Sequence, residues 1–228
     1  MPYIDQMYGE VIRPRGTYPR QLCSHLLSVY GSGGGAPILD LGCGRGDFSE
    51  AFKSLGLEVY SCDLESSKYH EGLNVSYFNS EEDVWPYEDN SLSMIFTKSV
   101  LEHIKNPEHF FTEARRVLKD NGKLIVLVPD WESQYKTFYD DPTHVRPYTA
   151  EGLKFTFEKY RFNVLDCSKF YQLPLFWRFP ILKHIKLPLS VRAARNLTEI
   201  TGLKYFRWST ETMVIGVGIK WKNHMTGY

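Results

Sequence analysis

Residues Ile38-Leu39-Asp40-Leu41-Gly42-Cys43-Gly44-Arg45-Gly46-Asp47-Phe48 constrain this 228-residue chain more than any other stretch. An apolar run that reads as a short buried strand leads into a turn with glycine at every second position, and a helix begins near Phe48. Glycines so spaced let backbone N–H groups come up against a ligand where any Cβ would collide. An adenosine-type cofactor is the natural occupant. Twenty-one residues after Gly42, a strand at Glu58–Cys62 ends in Asp63. A carboxylate there can accept hydrogen bonds from both ribose hydroxyls; its plainer role would be a helix N-cap.

The rest of the chain alternates strands and helices around that segment. A loose arm (1–17) leads into a helix over 18–30, and the glycine run 31–35 breaks it. Strands are expected at Ala36–Leu41, Glu58–Cys62, Leu92–Thr97 and Lys123–Val128, with an amphipathic helix at Glu108–Leu118. A helix at about Thr149–Tyr160 precedes strands at Phe162–Cys167 and Glu211–Trp221. Such alternation implies right-handed βαβ crossovers and an α/β, doubly wound, mostly parallel sheet, with ligands beyond the carboxyl ends of its strands. Four parts follow: an arm and helix (1–35), a cofactor-binding core (36–168), a basic and aromatic lid or insertion (169–209), and a closing strand (210–228).

Composition excludes several classes. With 43% hydrophobic and 24% charged residues the chain can bury a core, which rules out a disordered tail. Lys plus Arg and Asp plus Glu each number 27, so no net positive charge drives DNA binding. Cys23, Cys43, Cys62 and Cys167 show no metal-ligand or disulfide spacing and read as free thiols. No leader pattern and no apolar run of about 18 residues is present, so a cytoplasmic protein without a transmembrane segment is expected.

Nicotinamide folds want G-x-G-x-x-G, whereas this turn is G-x-G-x-G preceded by an acid, with Asp47 where a third glycine would stand. The pattern resembles the class I S-adenosylmethionine-dependent methyltransferases, small-molecule branch (type 11 and type 23 domains), through Asp40, Gly42, Gly44 and Gly46. The likeness continues through Trp85–Ile95, through Ser99–Ile104, and through Arg115–Leu124, where Asp120-Asn121 stands in place of the usual proline and glycine. Asp141–Thr149 is similar to the His-containing segment before the last helix of that branch. The resemblance covers roughly residues 36–168 and implies a seven-stranded sheet with an antiparallel strand near the C-terminus, which Glu211–Trp221 would supply.

It also implies S-adenosylmethionine as cofactor, S-adenosylhomocysteine as product, and particular residues. Asp40 would tie down the glycine loop or meet the amino end of the cofactor; the alternative is merely capping the turn. Cys43 and Leu64 would share the pocket with Gly42, Gly44, Gly46 and Asp63. Asn79, Ser80 and Glu81 are adenine candidates in an unfixed register. Thr97 and Lys98 would pass the methionine portion, mostly through backbone atoms. His144 and His103 are candidate bases for a hydroxyl acceptor, though a histidine between Pro142 and Pro147 is often only a hydrogen-bonding brace. Arg146 and Tyr148 are candidates for acceptor oxygens, Tyr148 equally for the core. His70 has no companion ligand at a recognisable spacing, and no obligatory metal is expected.

The expected acceptor is a small molecule, a hydroxyl of a sugar or of a cell-envelope or natural-product precursor. Residues 170–209 hold seven basic side chains against one acidic, with eight aromatics. They read as a lid over an anionic acceptor, a homodimer surface, a patch on an anionic membrane, or an insertion with solvated cations. The arm carrying Arg13, Arg15, Tyr3, Tyr8 and Tyr18 would fold across the cofactor, or fray. Rival readings are a cofactor-binding regulatory partner without turnover, a nicotinamide oxidoreductase, and a tRNA or protein methyltransferase.

Overall fold

A computed structural model describes residues 16–31, 35–179, 181, 190–202 and 205–221. Seven strands form one sheet: β1 (Ile38–Leu41), β2 (Val59–Asp63), β3 (Val75–Tyr77), β4 (Leu92–Lys98), β5 (Leu118–Pro129), β6 (Phe162–Phe170) and β7 (Met213–Lys220). Their order is β3-β2-β1-β4-β5-β7-β6. The first five pair in parallel, while β7 runs antiparallel to both β5 and β6. This is the doubly wound sheet with a late antiparallel strand that the resemblance implied.

Alternation along the buried strands divides the core into two layers. Leu124, Val126 and Val128 of β5 face one side, with Phe110, Phe111 and Ala114 of α3 (Pro107–Val117) and Leu153 and Phe157 of α5 (Ala150–Lys159). Ile125 and Leu127 face the other, with Leu22 and Leu26 of α1 (Tyr18–Tyr30) and Phe52 of α2 (Asp47–Ser54). The short α4 (Trp131–Gln134) follows β5. In β7 the small residues have a packing reason. A Cβ on Gly216 would lie 2.5 Å from Phe157, and one on Gly218 would meet the same ring at 2.5 Å.

Several boundaries move. β5 begins at Leu118 rather than Lys123, because Leu118 pairs with Leu92 before the ladder resumes at Met94 and Lys123. Residues 119–122 bulge out between the two, with Asn121 at φ 63°; asparagine tolerates the left-handed region that the family's usual glycine serves. The basic segment holds α6 (Pro174–Arg178), α7 (Val191–Thr201) and α8 (Tyr205–Thr210). Two of its cations are already neutralised: Arg195 and Arg207 both pair with the buried Glu211 carboxylate. Lys183, Lys186 and Lys204, and Tyr3, Tyr8, Arg13 and Arg15 of the arm, lie outside the described residues. Tyr18 opens α1 and packs on Trp177, ring centroids 6.1 Å apart. Among the described residues, no helix is long and apolar enough to cross a membrane.

Candidate active site

The strand order reverses at β1, which pairs with β2 on one side and β4 on the other. Leu41, the last residue of β1, is in register with Cys62 and Thr97. The glycine turn, Asp63 and Thr97–Lys98 therefore open at the same carboxyl edge, where ligands of such sheets bind.

Gly42, Gly44 and Gly46 all adopt positive φ, at 74°, 55° and 76°. A Cβ on Gly42 would lie 2.3 Å from Val100, and one on Gly46 would lie 2.1 Å from Leu73, so these two are demanded by the protein itself. Gly44 differs: its Cβ direction meets nothing within 4 Å. The space beside Gly44 is a cradle left open by the protein.

Asp63 ends β2 beside it. Its Oδ2 accepts the Gly44 N–H at 2.8 Å and its Oδ1 accepts the Leu64 N–H at 2.8 Å. Burial pushes its carboxyl up, while those N–H bonds oppose the shift. Leu64 is 64% exposed, an apolar side chain left at the mouth beside the acid. The far side of the loop is braced by His70. Ser67 donates its N–H to His70 Nδ1 at 3.3 Å, so Nε2 carries the proton and donates to the Gly44 carbonyl at 2.6 Å. His70 thus has a structural partner that spacing did not reveal, since 26 residues separate it from Gly44.

Asp40 is buried, and its Oδ2 accepts from Ser49 Oγ at 2.6 Å, with Ser61 Oγ donating to Ser49 at 2.8 Å. It ties β1 to α2 and β2, and it also accepts the Ser49 backbone N–H in the first turn of α2. Burial pushes its carboxyl up to about 7. Glu81 Oε2 accepts the N–H groups of Lys105 and Asn106 at 2.7 and 2.9 Å, which occupies that oxygen at the start of α3. Asn79 Oδ1 accepts the Glu81 N–H, and the Ser80 carbonyl accepts from Trp85 Nε1, so this turn is held through side chain and backbone. Thr97 is fully buried with a hydroxyl that has no partner. Ser99, after Lys98, stands at φ 57°, strained backbone of the kind that persists at functional sites.

A second constellation lies after β4. His103 and His144, forty-one residues apart in the sequence, come together with ring centroids 4.8 Å apart. Val145 and Arg146 donate their N–H groups to the Glu102 carbonyl, pinning the acceptor segment against the turn after β4. Glu102, which sequence reasoning missed, is 1% exposed, and neither carboxylate oxygen has a hydrogen-bond partner. Burial pushes it up to about 8. Burial, and then the neighbouring His144, hold the His103 imidazole below the usual histidine range. The available signal was a lone carboxylate beside a histidine among the apolar Val100, Leu101 and Ile104. Tyr148 is buried in the core cluster with its hydroxyl unpartnered, and Arg146 is exposed, reaching the Lys105 carbonyl at 3.4 Å.

A family model described as a methyltransferase domain (Methyltransf_23) matches residues 15–166, well over half of the chain. The chain belongs to that family. Its S-adenosylmethionine-dependent methyltransferase domain has relatives among known proteins. A ubiquinone biosynthesis O-methyltransferase of Cereibacter sphaeroides is 30% identical over 99 residues, 40% of each chain. A ubiquinone/menaquinone biosynthesis C-methyltransferase of Blochmanniella pennsylvanica is 27% identical over 147 residues, 57% of this chain and 58% of that one. The chain thus spans about half the length of the curated relatives it matches. A SAM-dependent methyltransferase from Archaeoglobus fulgidus superposes with TM-score 0.60 at 25% identity, covering 88% of this chain and 94% of that one. A Haemonchus contortus phosphoethanolamine N-methyltransferase 2, solved in complex with S-adenosyl-L-methionine, shares the fold at TM-score 0.62 and 19% identity, covering 96% of this chain and 56% of that one. The open face of Gly44 beside Asp63 and the exposed Leu64 are chemically compatible with the adenosyl cofactor of this family.

Proposed function

We propose that this protein transfers a methyl group from S-adenosylmethionine to a hydroxyl of a small-molecule acceptor. The observation that carries the reading is the pairing of two neighbourhoods at one sheet edge: the Gly44–Asp63 cradle, and the His103–His144 pair backed by Glu102.

Asp63, at the end of β2, would accept from ribose hydroxyls, and the uncrowded Gly44 would let the loop backbone approach the nucleoside. When bound, the cofactor supplies an electrophilic methyl on a sulfonium. In the transfer the acceptor oxygen forms the O–C bond, the C–S bond breaks, and its electron pair stays on sulfur, whose charge is lost. No covalent protein intermediate is needed, so the protein's share is alignment, exclusion of water and removal of the hydroxyl proton. His103 and His144 are the groups through which that proton is lost. Arg146, exposed on the same segment, would meet an acidic group on the acceptor. The Cereibacter relative, named as an O-methyltransferase, supports oxygen as the acceptor atom.

The test is calorimetric titration with S-adenosylmethionine and S-adenosylhomocysteine, then mass-spectrometric search for a one-methyl gain across pools of sugars and cell-envelope precursors. His144→Ala should lower turnover and leave cofactor affinity nearly intact. Cofactor binding without transfer to any acceptor would favour a regulatory partner without turnover instead.

A further inference from the structure

We propose that Glu102, His103 and His144 form a binding site for one divalent transition-metal ion of the zinc class, facing the acceptor. The inference rests on the reading above for the acceptor, but the site itself stands on the side chains. One ligand atom from each of the three residues lies within 4.8 Å of the others. Glu102 is 1% exposed and both of its oxygens lack a hydrogen-bond partner. A carboxylate out of water with nothing bound to it is costly, and a cation between it and two imidazoles removes that cost.

The tautomers point the same way. His144 Nδ1 lies 2.6 Å from the Phe138 carbonyl, which can only accept, so Nδ1 carries the proton. His103 Nδ1 lies 3.2 Å from the Thr143 carbonyl and 2.9 Å from Thr143 Oγ1. That hydroxyl donates to Asp141 Oδ1 at 2.6 Å, so it accepts from His103, and here too Nδ1 carries the proton. Both rings therefore have their lone pair on Nε2. Histidine ligands in metal sites are oriented in this way, with the remote N–H given to a main-chain carbonyl.

The ionisable groups facing Glu102 are Lys98, Asp141 and Tyr148 besides the two histidines. Two imidazoles and one carboxylate suit zinc, iron, cobalt or nickel rather than magnesium or calcium, which prefer all-oxygen sets. Three protein ligands leave coordination positions open for an acceptor oxygen, and a hydroxyl held there would lose its proton to solvent more readily than in water; with the metal in place the two histidines serve as ligands, and as the base only in its absence. The acceptor class is then an oxygen donor able to ligate a metal.

The full chain, stripped with chelator, is titrated with Co²⁺ and with Zn²⁺, reading the visible ligand-field bands of cobalt and the heat of zinc binding, with S-adenosylmethionine titrated in parallel. The expected result is one equivalent of metal, with affinity falling by about 100-fold or more in Glu102→Gln and in His144→Ala, while both variants still bind the cofactor. Glu102→Gln is isosteric and uncharged, so it should fold; a metal-dependent rise in melting temperature, present in the parent and lost in both variants, gives a second reading. Absence of binding, or binding unchanged in both variants, would overturn the metal site and leave the methyltransferase reading standing. Failure of the parent to bind the cofactor would sink that reading, with the cobalt spectrum still deciding the metal.

Discussion

Gly44 is gripped at both ends: Asp63 Oδ2 takes its N–H at 2.8 Å, and His70 Nε2 meets its carbonyl at 2.6 Å. The middle glycine of the turn is thus fixed by residues from two other parts of the chain, while the direction of its missing Cβ stays open. Rigidity of the loop and room for a ligand come from the same residue.

Replacing the acid should separate these roles. Asp63→Ala removes the acceptor for ribose hydroxyls, and a hydrogen bond to a charged group contributes about 1.5–3 kcal/mol. Cofactor affinity should fall by about 100-fold or more, as titration calorimetry would read. Because Asp63 also holds the Gly44 and Leu64 N–H groups, melting temperature should drop too. An unchanged affinity would remove Asp63 from the cofactor site.

The two outer glycines and the middle one should behave differently on gaining a methyl. Gly46→Ala drives a Cβ to 2.1 Å from Leu73 at φ 76°, so it should destabilise by more than the 1–2 kcal/mol or so that left-handed backbone alone costs a residue with a Cβ. Gly44→Ala meets no protein atom and should lose only that backbone cost, yet weaken cofactor binding at least about tenfold. Equal loss of stability in the two variants would contradict the open cradle. Leu73→Ala combined with Gly46→Ala should recover part of the lost stability.

The buried carboxyl of Asp40 sets a pH dependence. It titrates near 7 in the folded chain against 3.8 when free. The folded state therefore holds the proton more tightly, so the contribution to stability is full below about pH 4 and is lost as pH rises to about 7. Asp40→Asn cannot ionise and keeps an oxygen for the Ser49 hydroxyl. Its melting temperature should fall less than the parent's between pH 4 and 7. Some slope should survive from Glu102, which is pushed up to about 8 and acts with the same sign. Identical pH profiles would count against a buried, protonated Asp40.

Packing of β7 against α5 offers a control outside the cofactor cradle. Gly216→Ala would press a methyl to 2.5 Å from Phe157, and overpacking of this kind costs about 1–3 kcal/mol. Chemical denaturation should show that loss with cofactor affinity unchanged, and Phe157→Leu in the same chain should recover part of it.

The strand–turn–helix at Ile38–Phe48 and the acid at Asp63 were readable because backbone geometry restricts which residues can stand there. The central strands were readable because both of their faces are buried, leaving uninterrupted apolar runs. Other features left no local trace. β3, Val75–Tyr77, is two half-buried residues and an exposed tyrosine at the sheet edge without an apolar run. The segment 119–122 reads as a turn between helix and strand, and only pairing of Leu118 with Leu92 makes β5 longer. His70 bonds Gly44 and Glu102 comes to lie beside His144, each far off in sequence, and no spacing rule encodes such a meeting. The charge of the basic segment misled in a different way, since Arg195 and Arg207 are spent on Glu211, the acid just beyond its end.

The most direct measurement is calorimetric titration of the full chain with S-adenosylmethionine, S-adenosylhomocysteine and NADH side by side. Saturable binding of one equivalent of the first two, weakened about 100-fold or more in Asp63→Ala, with no heat from NADH, is the predicted outcome. A folded chain that ignores both sulfur nucleosides, or that takes NADH in their place, would contradict the assignment of the Gly44–Asp63 cradle.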